Sequence, residues 1–229
     1  MVSNSLVKVN IGSGPYGKPD WINLDWGVLP LLSKISWITF LLIKMHLLPK
    51  SYHKSWPSNP RLWDCRRKLP FKDKSVDFIY CSHFIEHLFR YQAEILLKEF
   101  RRIIRPSGVV RICVPDIKLL AEKYISGDRD FFSKIRCEDD KQQFESLADQ
   151  FVQHFYGYDL WSEPNLMKKI QRIFIRGHFW MYDYDSLRNL LRNAGFSCTY
   201  CCKPGKGKVP DIDYLDIHKT GSLFVETLF

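Results

Sequence analysis

Three ionisable side chains lie close together in the sequence, and their spacing suits acid–base chemistry. His83, Glu86 and His87 follow an apolar segment at positions i, i+3 and i+4. On a helix that begins after this segment they would share one face. A histidine beside a carboxylate is a good general base, because the carboxylate fixes the imidazole tautomer and raises its basicity. The same side chains could instead bind a divalent metal ion or form a structural pair.

Polar groups also follow three other apolar segments. The turn at residues 12–14 contains two glycines, which let the backbone bend tightly and approach a ligand. Asp25 ends the next segment, where a carboxylate can accept both hydroxyl hydrogens of a ribose. Asp64 precedes a Leu-Pro-Phe turn and can meet an adenine amino group. The short distance from the turn to Asp25 argues against an NAD site, which has G-x-G-x-x-G and an acid about 20 residues later.

Strands and helices alternate along the chain, which predicts an α/β fold with a largely parallel sheet. Helical periodicity covers 84–104 and 185–194, and Asp185 and Gly195 are the expected caps of the second helix. A turn is predicted at 106–108. Apolar runs predict strands over 6–11, 21–24, 75–81, 109–114, 196–202 and 222–229. Such sheets bind ligands at the carboxyl ends of their strands, where the polar groups above lie.

The apolar segment 28–49 raises the question of membrane contact. Its longest stretch without a charge is the nine residues Ile35–Ile43, whereas a spanning helix needs about 20 apolar residues. We predict a helix with one apolar stripe, which could pack in the core, cover a binding site, or lie on a membrane surface. The stripe consists of Leu31, Ile35, Ile38, Leu42 and Met45.

The composition is that of a globular protein: 229 residues, 45% hydrophobic and 26% charged, with enough aromatic residues to exclude disorder. The net charge of +9 would suit an acidic partner, but no basic run or RNA-binding module supports nucleic acid. The seven cysteines are scattered, and no second pair completes a zinc site with Cys198 and Cys201. No signal segment is visible, so we expect a cytoplasmic protein.

Five motifs, taken in order, resemble the class I S-adenosylmethionine-dependent methyltransferases. They are VNIGSG, WINLD, DCRRKLPFKDKSVDFIYCSHFIEHL, EFRRIIRPSGVVRICVPD and MYDYDSLRNLLRNAGF. The resemblance covers most of 6–116 and 176–229, and its nearest subgroup is associated with polysaccharide and glycan assembly. It implies a Rossmann-like, mostly parallel seven-stranded sheet flanked by helices, in a single domain over 1–229. An apolar helical insert at about 28–60 and a helical insertion at about 117–176, the acceptor cap, would interrupt it.

The resemblance also implies how S-adenosylmethionine is held. The glycine turn would cradle the methionine part, Asp25 would hold the ribose, and the Asp64 segment would recognise the adenine. The helix that usually follows the glycine turn must be shortened or absent, because only eleven residues separate Gly14 from Asp25. The implied cofactor-binding residues are Gly12, Ser13, Gly14, Asp25, Trp26, Asp64, Cys65, Ser82 and His83.

Methyl transfer from a sulfonium requires an oriented acceptor and a group that takes its proton. We expect O-methylation of a sugar or glycan hydroxyl. The alternatives are a nucleic-acid or small-molecule methyltransferase, a non-catalytic cofactor-binding subunit, and, for 28–49, peripheral membrane contact. The expected catalytic residues are His87, His83, Glu86, Asp116 and His178.

Each of these assignments has an alternative. A metal-free base is favoured, but some RNA 2′-O-methyltransferases use a Glu-x-x-Glu-His cluster with a later histidine. The corresponding metal ligands here would be His83, Glu86, His87 and His178. Asp116 could instead cap a helix, and the aromatic run after His178 could belong to the core. His154 and Tyr156 are weaker candidates of the same kind.

Overall fold

The computed structural model describes residues 6–48, 59–135, 146–156 and 177–229, which form an α/β fold around one seven-stranded sheet. The strands are β1 (Lys8–Ile11), β2 (Ile22–Asp25), β3 (Arg61–Leu62), β4 (Val76–Ser82), β5 (Ile104–Pro115), β6 (Cys198–Cys202) and β7 (Ser222–Leu228). The helices are α1 (Val28–Leu32), α2 (Ser36–Lys44), α3 (Arg90–Ile103), α4 (Ile117–Ile125), α5 (Arg129–Ile135), α6 (Leu147–Tyr156), α7 (Tyr184–Asn193) and α8 (Ile212–Leu215).

The sheet has the order β3-β2-β1-β4-β5-β7-β6, and only β7 runs antiparallel to its neighbours. Chain order reverses between β1 and β4, so a crevice opens there at the carboxyl edge. Ile11 is in register with Leu24 on one side and with Cys81 on the other. The glycine turn, Asp25 and His83 therefore leave the sheet at one edge. This confirms the predicted Rossmann-like, mostly parallel fold.

Helices α3 and α7 cover one face of the sheet, because each presents an apolar stripe at helical spacing. In α3 the buried positions recur every three or four residues. They are Ala93, Leu96, Leu97, Phe100 and Ile103. Together with the apolar side of the central strands they form the main core, which fixes the sheet edge that carries the polar groups.

The helix predicted over 84–104 begins later than expected. Residues 85–87 form a single 3-10 turn, Leu88 is extended, and α3 starts at Arg90. His83, Glu86 and His87 therefore do not share one α-helical face, and that prediction is wrong. A compact turn replaces the helical spacing and still brings these side chains together.

The caps of α7 differ at one end from the expectation. Asp183, rather than Asp185, is the N-cap, because its carboxylate accepts a hydrogen bond of 2.8 Å from the Ser186 N–H. Gly195 has φ +98°, which confirms the left-handed residue predicted after the helix. The shortened connection after the glycine turn is also confirmed, since only a 3-10 turn, Gly14–Tyr16, lies between β1 and β2.

The turn predicted at 106–108 is a bulge within β5. Val76 pairs with Ile104, but Phe78 already pairs with Val109, so the extra residues of β5 loop outward. Arg105, Pro106 and Ser107 are exposed there. The Pro-Gly pair bends the strand without ending it.

The segment 28–49 contains two helices instead of one. A turn at residues 33–35 separates α1 from α2, and no residue of α2 is buried, so the core-packed alternative is wrong for α2. Its exposed large side chains are Trp37, Phe40 and Leu41. No helix within the described ranges is long and apolar enough to cross a membrane. Residues 49–58 of the predicted insert lie outside the described residues.

Helices α4, α5 and α6 follow β5 and pack around their own small apolar cluster. This agrees with the helical character predicted for 117–176. Residues 136–145 and 157–176 of that insertion lie outside the described residues, and its role as an acceptor cap stays a prediction.

Candidate active site

The glycine turn at the end of β1 is shaped by its own backbone. Gly12 has φ +66° and its N–H donates to the Leu24 carbonyl at 2.9 Å. A Cβ on Gly12 would overlap the Phe84 ring, so only glycine lets the turn lie against the residue that follows His83. Gly14 also has a positive φ, and no atom of the described residues lies within 4 Å of where its Cβ would be. The turn therefore leaves open space beside a tightly packed bend.

Asp25 ends β2 beside this turn, and backbone donors hold its carboxylate. The Gly14 N–H donates to Oδ2 and the Trp26 N–H donates to Oδ1, both at 2.7 Å. Burial raises the pKa of Asp25 to about 6, against the effect of these two donors. Each oxygen keeps acceptor capacity beyond its one backbone bond, as ribose binding requires. The side chain of Trp26 is exposed.

Asp64 lies two residues beyond β3, and β3 pairs with the end of β2. Both of its oxygens bind the Arg66 guanidinium at 2.8 Å, which lowers the pKa of this carboxyl. Neighbouring Cys65 is buried, and burial together with the charges of Asp25 and Asp64 raises the pKa of its thiol. The structure thus brings the predicted ribose and adenine carboxylates together, but Asp64 already binds an arginine.

Ser82 and His83, at the end of β4, point in different directions. The Ser82 side chain lies near Tyr80 and Cys113, on the opposite face of the sheet from Cys81. His83 follows with φ +49°, a left-handed conformation that is strained for a side chain with a Cβ. Such strain is frequent at functional sites, and here it turns the imidazole toward the carboxyl edge.

Glu86 is fully buried at the centre of a histidine cluster. His83 Nδ1 lies 3.2 Å from its Oε1, yet neither carboxylate oxygen has a well-aligned hydrogen-bond donor among the described residues. Burial alone would raise the pKa of Glu86, but the His83 contact and the charges of His87 and His178 hold it at about 2. The carboxylate is therefore ionised and lacks a strong partner.

Two further histidines face Glu86 with defined tautomers. His87 Nδ1 donates to the Gly177 carbonyl at 3.0 Å, and His178 Nδ1 donates to the His154 carbonyl at 2.7 Å. Their rings lie 4.9 Å apart. Burial lowers the pKa of His178 to about 4, so it is neutral near neutral pH. On both rings the Nε2 lone pair remains available.

The cluster contains two residues that the sequence did not reveal. The rings of His218 and His83 lie 4.5 Å apart, and His83 Nε2 lies 3.0 Å from the Ser222 hydroxyl. Burial, aided by the charge of His83, lowers the pKa of His218 to about 4. Both come from the segment around the start of β7, more than 130 residues from His83, and no local pattern could have assigned them.

The remaining candidates have structural roles in this arrangement. Asp116 Oδ1 accepts the Lys118 and Leu119 N–H groups and is the N-cap of α4, which agrees with the alternative assignment. The His154 backbone, not its side chain, holds His178. Tyr156 contributes its carbonyl, which accepts the His178 N–H at 3.3 Å.

The cofactor residues fit an adenosyl sulfonium on three observations. The glycine turn has room beside Gly14, the Asp25 oxygens are oriented by backbone donors, and Phe84 joins the turn to the histidine cluster. S-adenosylmethionine bound there would lie between Asp25 and the cluster. The geometry therefore matches the cofactor that the motifs implied.

One comparison with known proteins shows a family. The family model described as methyltransferase domain matches residues 26–200, more than half of the chain. A search of curated proteins with the sequence of this chain found no match.

Three solved structures illustrate the similarity of folds. A SAM-dependent methyltransferase from Archaeoglobus fulgidus is 14% identical with a TM-score of 0.47, covering 99% of this chain and 87% of its own. Human N-acetylserotonin methyltransferase, solved with SAM, is 10% identical with a TM-score of 0.44. The alignment covers 97% of the present chain and 47% of the human protein. A provisionally assigned O-methyltransferase from Nostoc punctiforme is 10% identical with a TM-score of 0.46, covering 100% and 53%.

The present chain spans about half the length of the last two proteins, and at these TM-scores none of the three says anything about its substrate. The family match, in contrast, covers strands β3, β4 and β5 completely and the whole of the segment 83–87. The chain therefore belongs to the methyltransferase-domain family.

Proposed function

We propose that this protein transfers the methyl group of S-adenosylmethionine to a hydroxyl of a sugar or glycan. The observation that carries the proposal is the contact between His83 and the buried Glu86 carboxylate, 3.2 Å apart, next to the cofactor crevice. A hydroxyl is a poor nucleophile until it loses its proton, so an O-methyltransferase benefits from a general base. A histidine paired with an ionised carboxylate supplies one.

The cofactor residues act by positioning. Asp25 would accept the ribose hydroxyls, the glycine turn would let the backbone approach the methionine part, and the backbone of Cys65 would meet the adenine edge. Asp64 would reach the adenine amino group only when Arg66 releases it. When bound, S-adenosylmethionine supplies an electrophilic methyl carbon, whose bond to sulfur breaks with its electron pair remaining on sulfur.

The proton of the acceptor goes to His83. An acceptor hydroxyl that replaces the Ser222 hydroxyl at Nε2 would give its proton to that nitrogen while its oxygen bonds to the methyl carbon. The negative charge of Glu86 would stabilise the imidazolium that forms. The His83 ring, held between Glu86 and His218, would keep its orientation during this step.

An exposed aromatic surface next to Glu86 supports a sugar as the acceptor. The Phe179 N–H donates to the Glu86 carbonyl at 2.7 Å, which fixes the start of this surface beside the cluster. Phe179 stacks on Phe89 with ring centroids 4.6 Å apart, and Arg90 lies over the Trp180 ring. These rings remain about half exposed. Exposed flat rings suit the apolar faces of sugars.

A transfer assay with isotope-labelled S-adenosylmethionine and a panel of glycans, with RNA and small phenols as further acceptors, tests the proposal. We expect label on a glycan hydroxyl, loss of transfer in His83→Ala, and full transfer in the control Asp130→Asn, which changes an exposed carboxylate on α5. Transfer to RNA or to phenols alone would overturn the sugar assignment. Full transfer in His83→Ala would remove His83 as the base.

A further inference from the structure

The Glu86 carboxylate and two histidines form a compact set of ligand atoms. One carboxylate oxygen of Glu86 and one ring nitrogen each from His87 and His178 all lie within 4.8 Å of one another. They come from the turn after β4 and from the segment before α7, so two separate elements converge on one point. His83 lies outside this set, because its two ring nitrogens face Glu86 Oε1 and the Ser222 hydroxyl.

Both imidazoles are oriented as metal ligands usually are. Each Nδ1–H donates to a backbone carbonyl, Gly177 for His87 and His154 for His178. A hydrogen bond of this kind fixes the tautomer with the lone pair on Nε2 and holds the ring in place.

The carboxylate gives the second, independent observation. Glu86 has no exposed surface, and its only close side-chain contact with a donor among the described residues is His83 Nδ1 at 3.2 Å, which is not well aligned as a hydrogen bond. The only other buried side-chain atom without a partner in those ranges is the Tyr182 hydroxyl. A buried carboxyl group whose oxygens lack aligned donors keeps acceptor capacity that a cation can use.

We infer that Glu86, His87 and His178 bind one divalent transition-metal ion of the zinc type. Two imidazole nitrogens and one carboxylate oxygen are a donor set that zinc accepts, leaving a further position open. Magnesium and calcium prefer oxygen ligands and several waters, and they fit this set poorly. The inference deepens the proposed function and rests on it: the open position would take the acceptor hydroxyl and lower its pKa.

In this arrangement no redox step is needed. The acceptor O–H bond breaks, its proton goes to His83, and the metal-bound oxygen uses its electron pair to form the bond to the methyl carbon. The cation would stabilise the negative charge on that oxygen as the sulfonium loses its positive charge. Glu86 would then contact the cation and His83 at the same time.

The test uses the full chain, from which a chelator has removed any metal. The protein is titrated with Co²⁺, whose visible spectrum depends on the atoms that bind it. Zn²⁺ is then added to displace the Co²⁺. We expect one equivalent per chain, with a spectrum of nitrogen and oxygen ligands. A thiolate charge-transfer band would instead place the metal on cysteines, and failure to bind one equivalent would show that no such site exists. Either result overturns the inference.

Variants locate the site. Glu86→Gln and His178→Asn should each weaken Zn²⁺ binding by about 100-fold or more, whereas His46→Asn, which removes an imidazole outside the cluster, should not change it. Circular dichroism shows whether each variant folds, and the two variants lie on different elements, so one folded variant is sufficient. Unchanged Zn²⁺ affinity in a folded Glu86→Gln or His178→Asn protein overturns the inference.

Calorimetry with S-adenosylhomocysteine on the same metal-free protein separates this inference from the proposed function. Cofactor binding without metal binding would leave the methyltransferase proposal in place and remove the metal. Metal binding without methyl transfer to any glycan would overturn the sugar proposal. The metal site would remain, but its role in binding a sugar hydroxyl would be overturned as well.

Discussion

Two glutamates in this protein are fully buried, yet their surroundings are opposite. Glu226 on β7 receives hydrogen bonds from Arg111, from the Tyr200 hydroxyl at 3.0 Å, and from the Lys208 and Val209 N–H groups. Glu86 has no exposed surface either, but its carboxylate has no aligned donor among the described residues, and the charged groups that face it are histidines.

The difference separates a structural carboxylate from a functional one. Arg111 also binds Asp216 at 2.6 Å, so the ion pairs around Glu226 are closed within the fold and join β5 and β7 to Asp216, the residue after α8. The fold does not surround the Glu86 carboxylate with donors in this way, so the carboxylate can interact with a substrate or a cation. A buried charge of the first kind contributes to specificity of packing, and one of the second kind is a candidate for chemistry.

The largest effect is expected from breaking the closed network. Glu226→Gln removes the charge that faces Arg111 and turns an amide donor toward backbone N–H groups. We expect the free energy of unfolding to fall by about 3–5 kcal/mol, measured by urea denaturation. A loss below about 0.5 kcal/mol would show that the network is not what separates the two glutamates.

The same change at Glu86 should have the opposite pattern. In metal-free protein Glu86→Gln should lower the free energy of unfolding by less than Glu226→Gln does, because Glu86 has one poorly aligned contact with His83 in place of a full set of donors. Methyl transfer should fall by about 100-fold or more. Denaturation and initial rates check the two parts, and a strongly destabilised variant would make Glu86 a structural residue like Glu226.

Asp25 allows a third test, since it is a partly buried carboxylate held by backbone donors. Its pKa of about 6 means that it is ionised above about pH 6 and protonated below it. Protonation removes an acceptor for the ribose, so the Kd of S-adenosylhomocysteine should rise by about tenfold per pH unit below about pH 6. Calorimetry at about pH 7 and about pH 5 measures this, with Asp25→Asn as the pH-independent control. Equal affinities of wild type at both values would contradict the ribose role.

The smallest effect concerns the aromatic surface beside Glu86. Phe179→Ala should raise KM for the glycan about fivefold with little change in kcat, since one stacking contact contributes about 1 kcal/mol. Steady-state kinetics checks this, and Phe40→Ala on exposed α2 is the matched control. An unchanged KM would place the sugar elsewhere.

The cofactor half of the site was readable from sequence because its contacts are local. Gly14 and Asp25 are eleven residues apart and lie at the ends of neighbouring strands. Their positions in the sequence were therefore enough to predict that the glycine turn and this carboxylate lie side by side. The fold class was readable for the same reason, since apolar runs and turns alternate regularly. The sequence did not reveal that the Asp64 carboxylate binds Arg66 two residues later, and its role toward the adenine stays a prediction.

The histidine half was only partly readable. The segment 83–87 drew attention by its spacing, but the assumed helix is absent, and a strained residue at His83 and a 3-10 turn bring the groups together instead. His218 and Ser222 enter through the antiparallel strand β7, a pairing over more than 130 residues that no local period encodes. The tautomers of His87 and His178 depend on backbone carbonyls that only tertiary packing brings within reach.

A crystal structure of the protein with S-adenosylhomocysteine and Zn²⁺ bound is the most direct test of the account. We predict the ribose on Asp25, the sulfur directed toward the histidine cluster, and one ion on Glu86, His87 and His178. A sulfur pointing away from Glu86, or a nucleoside bound far from Asp25, would contradict the assignment of these two regions to one active site.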